Sequence, residues 1–509
     1  MPCADASREV ARRSALALLL AGASTAASTQ SGPWCVRPAV APLSPPVSAE
    51  VTQGTTFYVR TDGGNADQCD GRANTGYPGR GQRLTCAWSS PEVALPRSGS
   101  ARISPGDTLR IAAGVYKIGR EMQAIPSGPS RAVPTRILGQ SGQAPKLVGT
   151  NGIHRVVNLD GSSNVEVAHL EITDDSDCVY RHAVAAARCS DGMPWARVGL
   201  YARASAHVWL HDLNIHGMAA RGVNAGGLEN WTVERVRIIG NGTSGWDGNV
   251  GERGSNRGRI VLRHLEIAWN GCGERVQTGK PWACWAQQTG GYGDGLGTTD
   301  TGGQWLIEDV DVHHNTSDGL DLRYMDGADG TNVVLRRIRA VANAGNQVKV
   351  RGNALLEDSI LVGHCTYFRG KFNMTEGDLC RSDGSTLQLV LTGGDRVLVR
   401  NNTLAGEGGA QIGHSEGQGG TDDVRIQGNV VIGFPHYLRP EQMSAFSAGK
   451  SSAVIRYADN MGWTVAGCPR GTKCDANPKL RDMSLASFDA RPLPGSPALG
   501  KAGAIPCMK

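Results

Sequence analysis

Two stretches of nineteen residues decide the fold: WLIEDVDVHHNTSDGLDLR, Trp305–Arg323, and VVLRRIRAVANAGNQVKVR, Val333–Arg351. Superimposed, they share one pattern. Apolar residues stand at the first, third, sixth and eighth positions, an Asn follows three residues later (Asn315, Asn343), and a second apolar alternation follows that. Alternation sends side chains to opposite faces of an extended chain, so each apolar set faces one interior. The two-residue break in the middle predicts a corner between two short strands. No helical period accompanies it, which excludes solenoids built on one helix per repeat.

The first half of the pattern recurs at Val165–Ile172, Val208–Ile215, Trp231–Ile238, Ile260–Ile267, Ala354–Leu361, Val397–Leu404 and Val424–Val431, with Ser359 and Asn429 replacing apolar residues. The shortest spacings, Val208 to Trp231 and Val333 to Ala354, set the length of one coil. Longer spacings mean a coil plus an insertion, or two coils of which one matches poorly. Self-similarity at a fixed period marks a solenoid, here all-β, of about ten coils. Asn241, Asn270, Asn315 and Asn343 fall at one phase, and His364 takes that phase in the next coil. Stacked coils superimpose such residues into a hydrogen-bonded ladder.

Composition agrees. The 509 residues include 69 Gly, and aromatic residues make up only 5%. Short strands joined by frequent turns use such a composition. A net charge of +5 is too mild to argue for nucleic acid or a membrane surface, and it is compatible with an acidic polysaccharide. No apolar run is long enough to span a membrane.

Residues 1–27, with Arg8, Arg12, Arg13 and an apolar run from Ala15, read as a signal peptide. This implies a secreted or periplasmic protein. Residues 28–53 are rich in Ala, Pro and Ser and read as a linker. Residues 54–150 form the N-terminal cap and first coils, 151–440 the body, and 441–509 the last coils and a closing segment over the final edge. Without Cys3, twelve cysteines remain, which predicts disulfides in an exported chain. Sequence neighbours suggest Cys69–Cys86, Cys178–Cys189, Cys272–Cys284, Cys365–Cys380 and Cys468–Cys474, leaving Cys35 and Cys507. Most of these pairs fall between repeats, as staples for inserted loops.

Thr56-Phe-Tyr-Val and Pro105-Gly-Asp-Thr through Gly114-Val-Tyr resemble the opening of secreted right-handed β-helix proteins. With the Asn ladder, residues 56 to 500 resemble the pectate-lyase-like superfamily. The implied fold is a right-handed parallel β-helix.

Candidate chemistry lies on the second strands. Aligned on Leu296, Leu320 and Val348, their next positions are Gly297, Asp321 and Lys349; Thr299, Arg323 and Arg351 lie two residues further on. Asp294, Asp318 and Asn346 stand just before the strands. Coils stack about 4.8 Å apart, so Asp294, Asp318 and Asp321 converge, with Lys349 one coil beyond Asp321 and the arginines beside it. Carboxylates in that number suit Ca²⁺, and a lysine among positive charges suits proton abstraction.

The motifs GDGL at Asp294, SDGLD at Asp318 and Asp321, and GNQVKVRG at Lys349 resemble polysaccharide lyase family 9, the calcium-dependent pectate lyases. That resemblance implies calcium on the three aspartates and Lys349 as the base. Ser317 stands where the family has the first of two aspartates.

Arg323, Arg351, Tyr324 and His414 are candidate substrate contacts, and Tyr292 a second sugar platform. Trp231 and Trp305 fall at inward positions and read as core. The expected function is β-elimination of a uronate polymer by a monomer. Alternatives are a non-catalytic carbohydrate-binding β-helix, a β-helix glycoside hydrolase and a uronan epimerase. The plainest alternative for the column itself is cross-strand ion pairing, worth about 0.2–1 kcal/mol per pair.

Overall fold

The computed structural model describes residues 54–501, except 97–99, 175–194, 252–253, 274–282, 286–292, 326–330, 372–373, 417–421, 437 and 448–452. Residues 1–53, Cys178, Cys189, Cys507 and Tyr292 therefore lie outside the described residues.

Those residues form a right-handed parallel β-helix. Two parallel sheets carry it, one of twenty strand segments and one of ten. The ten-stranded sheet gives one strand per coil. The larger sheet bends at a corner, and the two-residue break of the repeat is that corner. Its second residue has a left-handed backbone in coil after coil: His169, Asp212, Arg235, His264, Asp309, Arg337, Asp358 and Asn401 all have φ between 50° and 58°. Asn, Asp and His tolerate this region best among residues with a Cβ, and they supply six of these eight corners.

The long spacings are coils with insertions. Ser163–Asp174 pairs directly with Ala206–His216, Arg257–Ala268 with Gln304–His313, and Asn353–Glu357 with Arg396–Arg400. Disulfides Cys272–Cys284 and Cys365–Cys380 close two of these insertions, and Cys69–Cys86 and Cys468–Cys474 tie the two ends. Two second strands without a repeat signature, Ser244–Asp247 and Leu387–Leu391, complete the stack.

Inward residues form the core. Trp231, Leu320, Val348 and Leu387 are fully enclosed, and Trp305 nearly so. A hydrogen-bonded ladder runs up one corner: Asn241 Nδ2 donates to Asn270 Oδ1, Asn270 to Asn315 and Asn315 to Asn343, at 2.8–3.0 Å. His364 does not continue it. Asn343 Nδ2 donates instead to Gln347 Oε1 at 2.8 Å, and His364 packs against Tyr367. The ladder changes corners. Asn402, Asn429 and Asn460 form a second one just after the left-handed corner residues, and Asn402 Oδ1 accepts the Ser359 backbone N–H. Ser359 and Asn429 are therefore ladder members, not flaws in an apolar repeat.

The described part of the closing segment, up to residue 501, packs along the flank of the stack. Leu485 and Ala490 pack against Ile360 and Val362, and Leu480 and Ala498 against Val430 and Ile432. It runs back along the flank and covers outward apolar residues of several coils. Among the described residues no helix is long and apolar enough to cross a membrane.

Candidate functional site

On the outer face of the larger sheet, charges alternate from coil to coil. Arg263 Nε donates to Glu234, Arg336 to Glu308 and Arg400 to Glu357 across adjacent strands. Each acid there meets a base. The ten-stranded sheet breaks this rule at one place, where acids from two adjacent coils gather around a single lysine.

Leu296 pairs with Leu320 and Gly297 with Asp321; Leu320 pairs with Val348 and Asp321 with Lys349. The aligned column is therefore present. The carboxylates of Asp294, Asp318 and Asp321 each place an oxygen within 4.8 Å of the others. Backbone amides hold two of them: Asp294 Oδ1 accepts from Asp318 N at 3.0 Å, and Asp318 Oδ1 from Asn346 N at 2.7 Å. Glycines make room. A Cβ on Gly345 would lie 2.3 Å from Asp318 Oδ1, and one on Gly297 would lie 3.3 Å from Asp294 Oδ2.

Lys349 is in register with Asp321 yet bonds elsewhere: its Nζ donates to Asp318 Oδ2 at 2.5 Å. Asp321 turns to Arg323, whose Nε is 3.3 Å from Asp321 Oδ2 and whose guanidinium lies 4.8 Å from the centre of the Tyr324 ring. Arg351 ends the lysine's own strand, Val348–Arg351. His414 is not in this column. It pairs in register with Leu389, two strands beyond Lys349, and its Nε2 is 3.1 Å from Ser447 O.

Electrostatics set this cluster apart. Burial, then the charges of Asp318 and Asp321, push the Asp294 carboxyl up to about 7. Asp321 is raised as well, by burial and then by Asp318, with Lys349 and Arg323 opposing. Lys349 and Arg323 together do not balance three carboxylates in a buried setting.

Three further residues adjoin the cluster. Asn346 is fully buried; its Nδ2 donates to Ser385 O at 2.6 Å, while its Oδ1 receives no hydrogen bond. Gln388 pairs with Lys349 on the next strand, which the sequence repeat does not mark. Arg381 comes from the disulfide-closed insertion, and its Nη1 donates to Ser317 Oγ at 2.9 Å.

No protein-family model and no curated protein matches the chain. Among solved structures it is similar to XylC in complex with xylose, with TM-score 0.51, 9% identity, and 84% of this chain and 87% of that one covered. It is also similar to pectate lyase Pel9A, with TM-score 0.37, 13% identity, and 72% and 78% covered. A third is the PL6 family alginate lyase AlyGC, with TM-score 0.41, 13% identity, and 77% and 53% covered. What the first of these likenesses shows is the shared β-helix.

Proposed function

We propose that this chain is a secreted polysaccharide lyase that cleaves a uronate-containing polymer by β-elimination, in the manner of family 9. One observation carries the reading: Asp294, Asp318 and Asp321 converge from two coils, and a buried lysine from a third reaches the same cluster.

The residues fit a hard cation. Three carboxylates share one small space, and burial and like charge already disfavour their full ionisation. Ca²⁺ takes oxygen ligands of this kind. Asp294, Asp318 and Asp321 would hold it, and once bound it would neutralise the substrate carboxylate and the charge that proton removal places there.

The chain's own residues do the rest. Lys349 stands beside that site, its Nζ on Asp318 Oδ2, and serves as the base. Lys349 Nζ then takes the C5 proton, the C4–C5 double bond forms, and the C4–O bond breaks toward the leaving sugar, which takes a proton from water. Arg323 and Arg351 orient the acidic sugar, and Tyr324 offers a ring edge beside Arg323.

An absorbance assay for unsaturated uronate on pectate, alginate and glycosaminoglycans, with and without Ca²⁺, tests the reading. The wild type should form product and Lys349→Ala should not. Reducing ends without the unsaturated chromophore would sink it.

A second reading, hydrolysis by a carboxylate pair, is favoured by Asp294. A carboxyl pushed up to about 7 with further carboxyls beside it is the arrangement of an acid and its partner, which retaining enzymes place about 5–5.5 Å apart. The same assay separates the two by product.

A further inference from the structure

Nothing in the repeat brings Arg381 to the acidic cluster; the insertion between Ile360–Gly363 and Leu387–Leu391 does. Cys365–Cys380 closes that insertion, and Arg381 is the next residue. Its guanidinium reaches Ser317 across 64 residues of chain. Ser317 directly precedes Asp318, and its N–H donates to the carbonyl of Gly293, the residue before Asp294, at 3.1 Å. The guanidinium therefore sits beside the cluster.

Arg381 is partly buried, yet Ser317 is the one partner of its side chain among the described residues, and no described carboxylate pairs with it. This sets it apart from arginines of the neighbouring coils. Arg323, Arg336, Arg337 and Arg339 are each paired with an Asp or a Glu. A guanidinium carries five donors in a planar fork that matches a carboxylate. Here most of the fork is unspent beside a site rich in backbone-anchored acids.

We propose that Arg381 binds a uronate carboxylate of the polymer and so restricts the site to anionic sugars. This rests on the lyase reading for the role of the site, but binding of the acid by Arg381 does not depend on turnover. Ser317 is what leaves Arg381 available. An aspartate there would pair with the guanidinium and take the place of the substrate's acid. The serine thus trades a cation ligand for a substrate contact. The Cys365–Cys380 bridge anchors the loop one residue before the arginine and limits the entropy lost on binding.

The test is calorimetric binding to the full chain carrying Lys349→Ala. The probes are galacturonate, mannuronate and glucuronate disaccharides, each against its carboxyl-reduced neutral counterpart. The parent should prefer the acid forms. Adding Arg381→Ala should weaken acid binding about 10- to 100-fold and leave the neutral forms unchanged, the effect of a lost charge-assisted pair. Arg381→Lys should recover part of it. Ser317→Asp should weaken acid binding while Ca²⁺ binding, titrated separately, stays or tightens. If Arg381→Ala is poorly folded, the last two variants carry the test. Undiminished acid binding in the Arg381 variants, no preference for the acid in the parent, or Ser317→Asp without effect would overturn the assignment. The two failures differ: unsaturated product from Arg381→Ala at wild-type kcat and KM removes Arg381 and leaves the lyase. Acid preference with no unsaturated product on any polymer removes the lyase and leaves Arg381.

Discussion

Lys349 Nζ donates to Asp318 Oδ2 at 2.5 Å, and the two side chains are only 9% and 6% exposed. A buried pair is costly to break from one side, because the remaining charge keeps its desolvation penalty. Lys349→Ala is expected to lose about 3–5 kcal/mol of metal-free stability. Lys349→Ala with Asp318→Asn should recover much of it. Turnover should fall about 10²–10⁴-fold in Lys349→Ala, the range of a lost general base. Denaturant unfolding in EDTA and product absorbance measure the two effects.

Asp294 makes stability depend on pH. Its carboxyl is pushed up to about 7, well above the usual carboxylate range. Between that range and the raised value the folded chain keeps a proton that the unfolded chain has released. Stability therefore falls as pH rises through that window and levels off above it. The melting temperature in EDTA should be higher at pH 5 than at pH 8. Ca²⁺ should raise the pH 8 value most, because it binds the ionised form. Asp294→Asn should flatten the profile.

Asn315 tests the ladder. Its Oδ1 accepts from both Asn270 N and Asn270 Nδ2, so Asn315→Ala strands two buried donors. Each costs about 1–3 kcal/mol. Asn402→Ala strands the Ser359 N–H at the other corner and should also destabilise, by less. Urea unfolding compares them.

The Cys365–Cys380 bridge closes a sequence separation of 15. Replacing both cysteines with serine should cost about 3 kcal/mol through the entropy of the unfolded loop. It should also weaken uronate binding, since Arg381 loses its anchor. Removing Cys468–Cys474 at the far end should leave that binding unchanged. Calorimetry on both double variants checks this.

The sequence by itself determined the coil. Alternation separates inward from outward residues locally, so Trp305, Leu320 and Val348 announce the core, and the two-residue break announces the corner. Cysteine proximity announced the four bridges seen. Asn241 to Asn343 announced the first ladder. Only the tertiary structure moved the ladder to Asn402, Asn429 and Asn460. A polar residue inside an apolar repeat looks like a flaw until the adjacent coils stack on it. Register likewise put Lys349 beside Asp321, but the choice of Asp318 depends on side-chain torsions and on where backbone amides turn each carboxylate. His414 falls in register with Leu389 and Val350 rather than with Lys349, and lies two coils away, because the unmarked strand Leu387–Leu391 intervenes. Arg381 was least legible of all. A periodic pattern encodes neighbours one coil apart; the path of an insertion is settled by closure in three dimensions, and that path brings the arginine to Ser317.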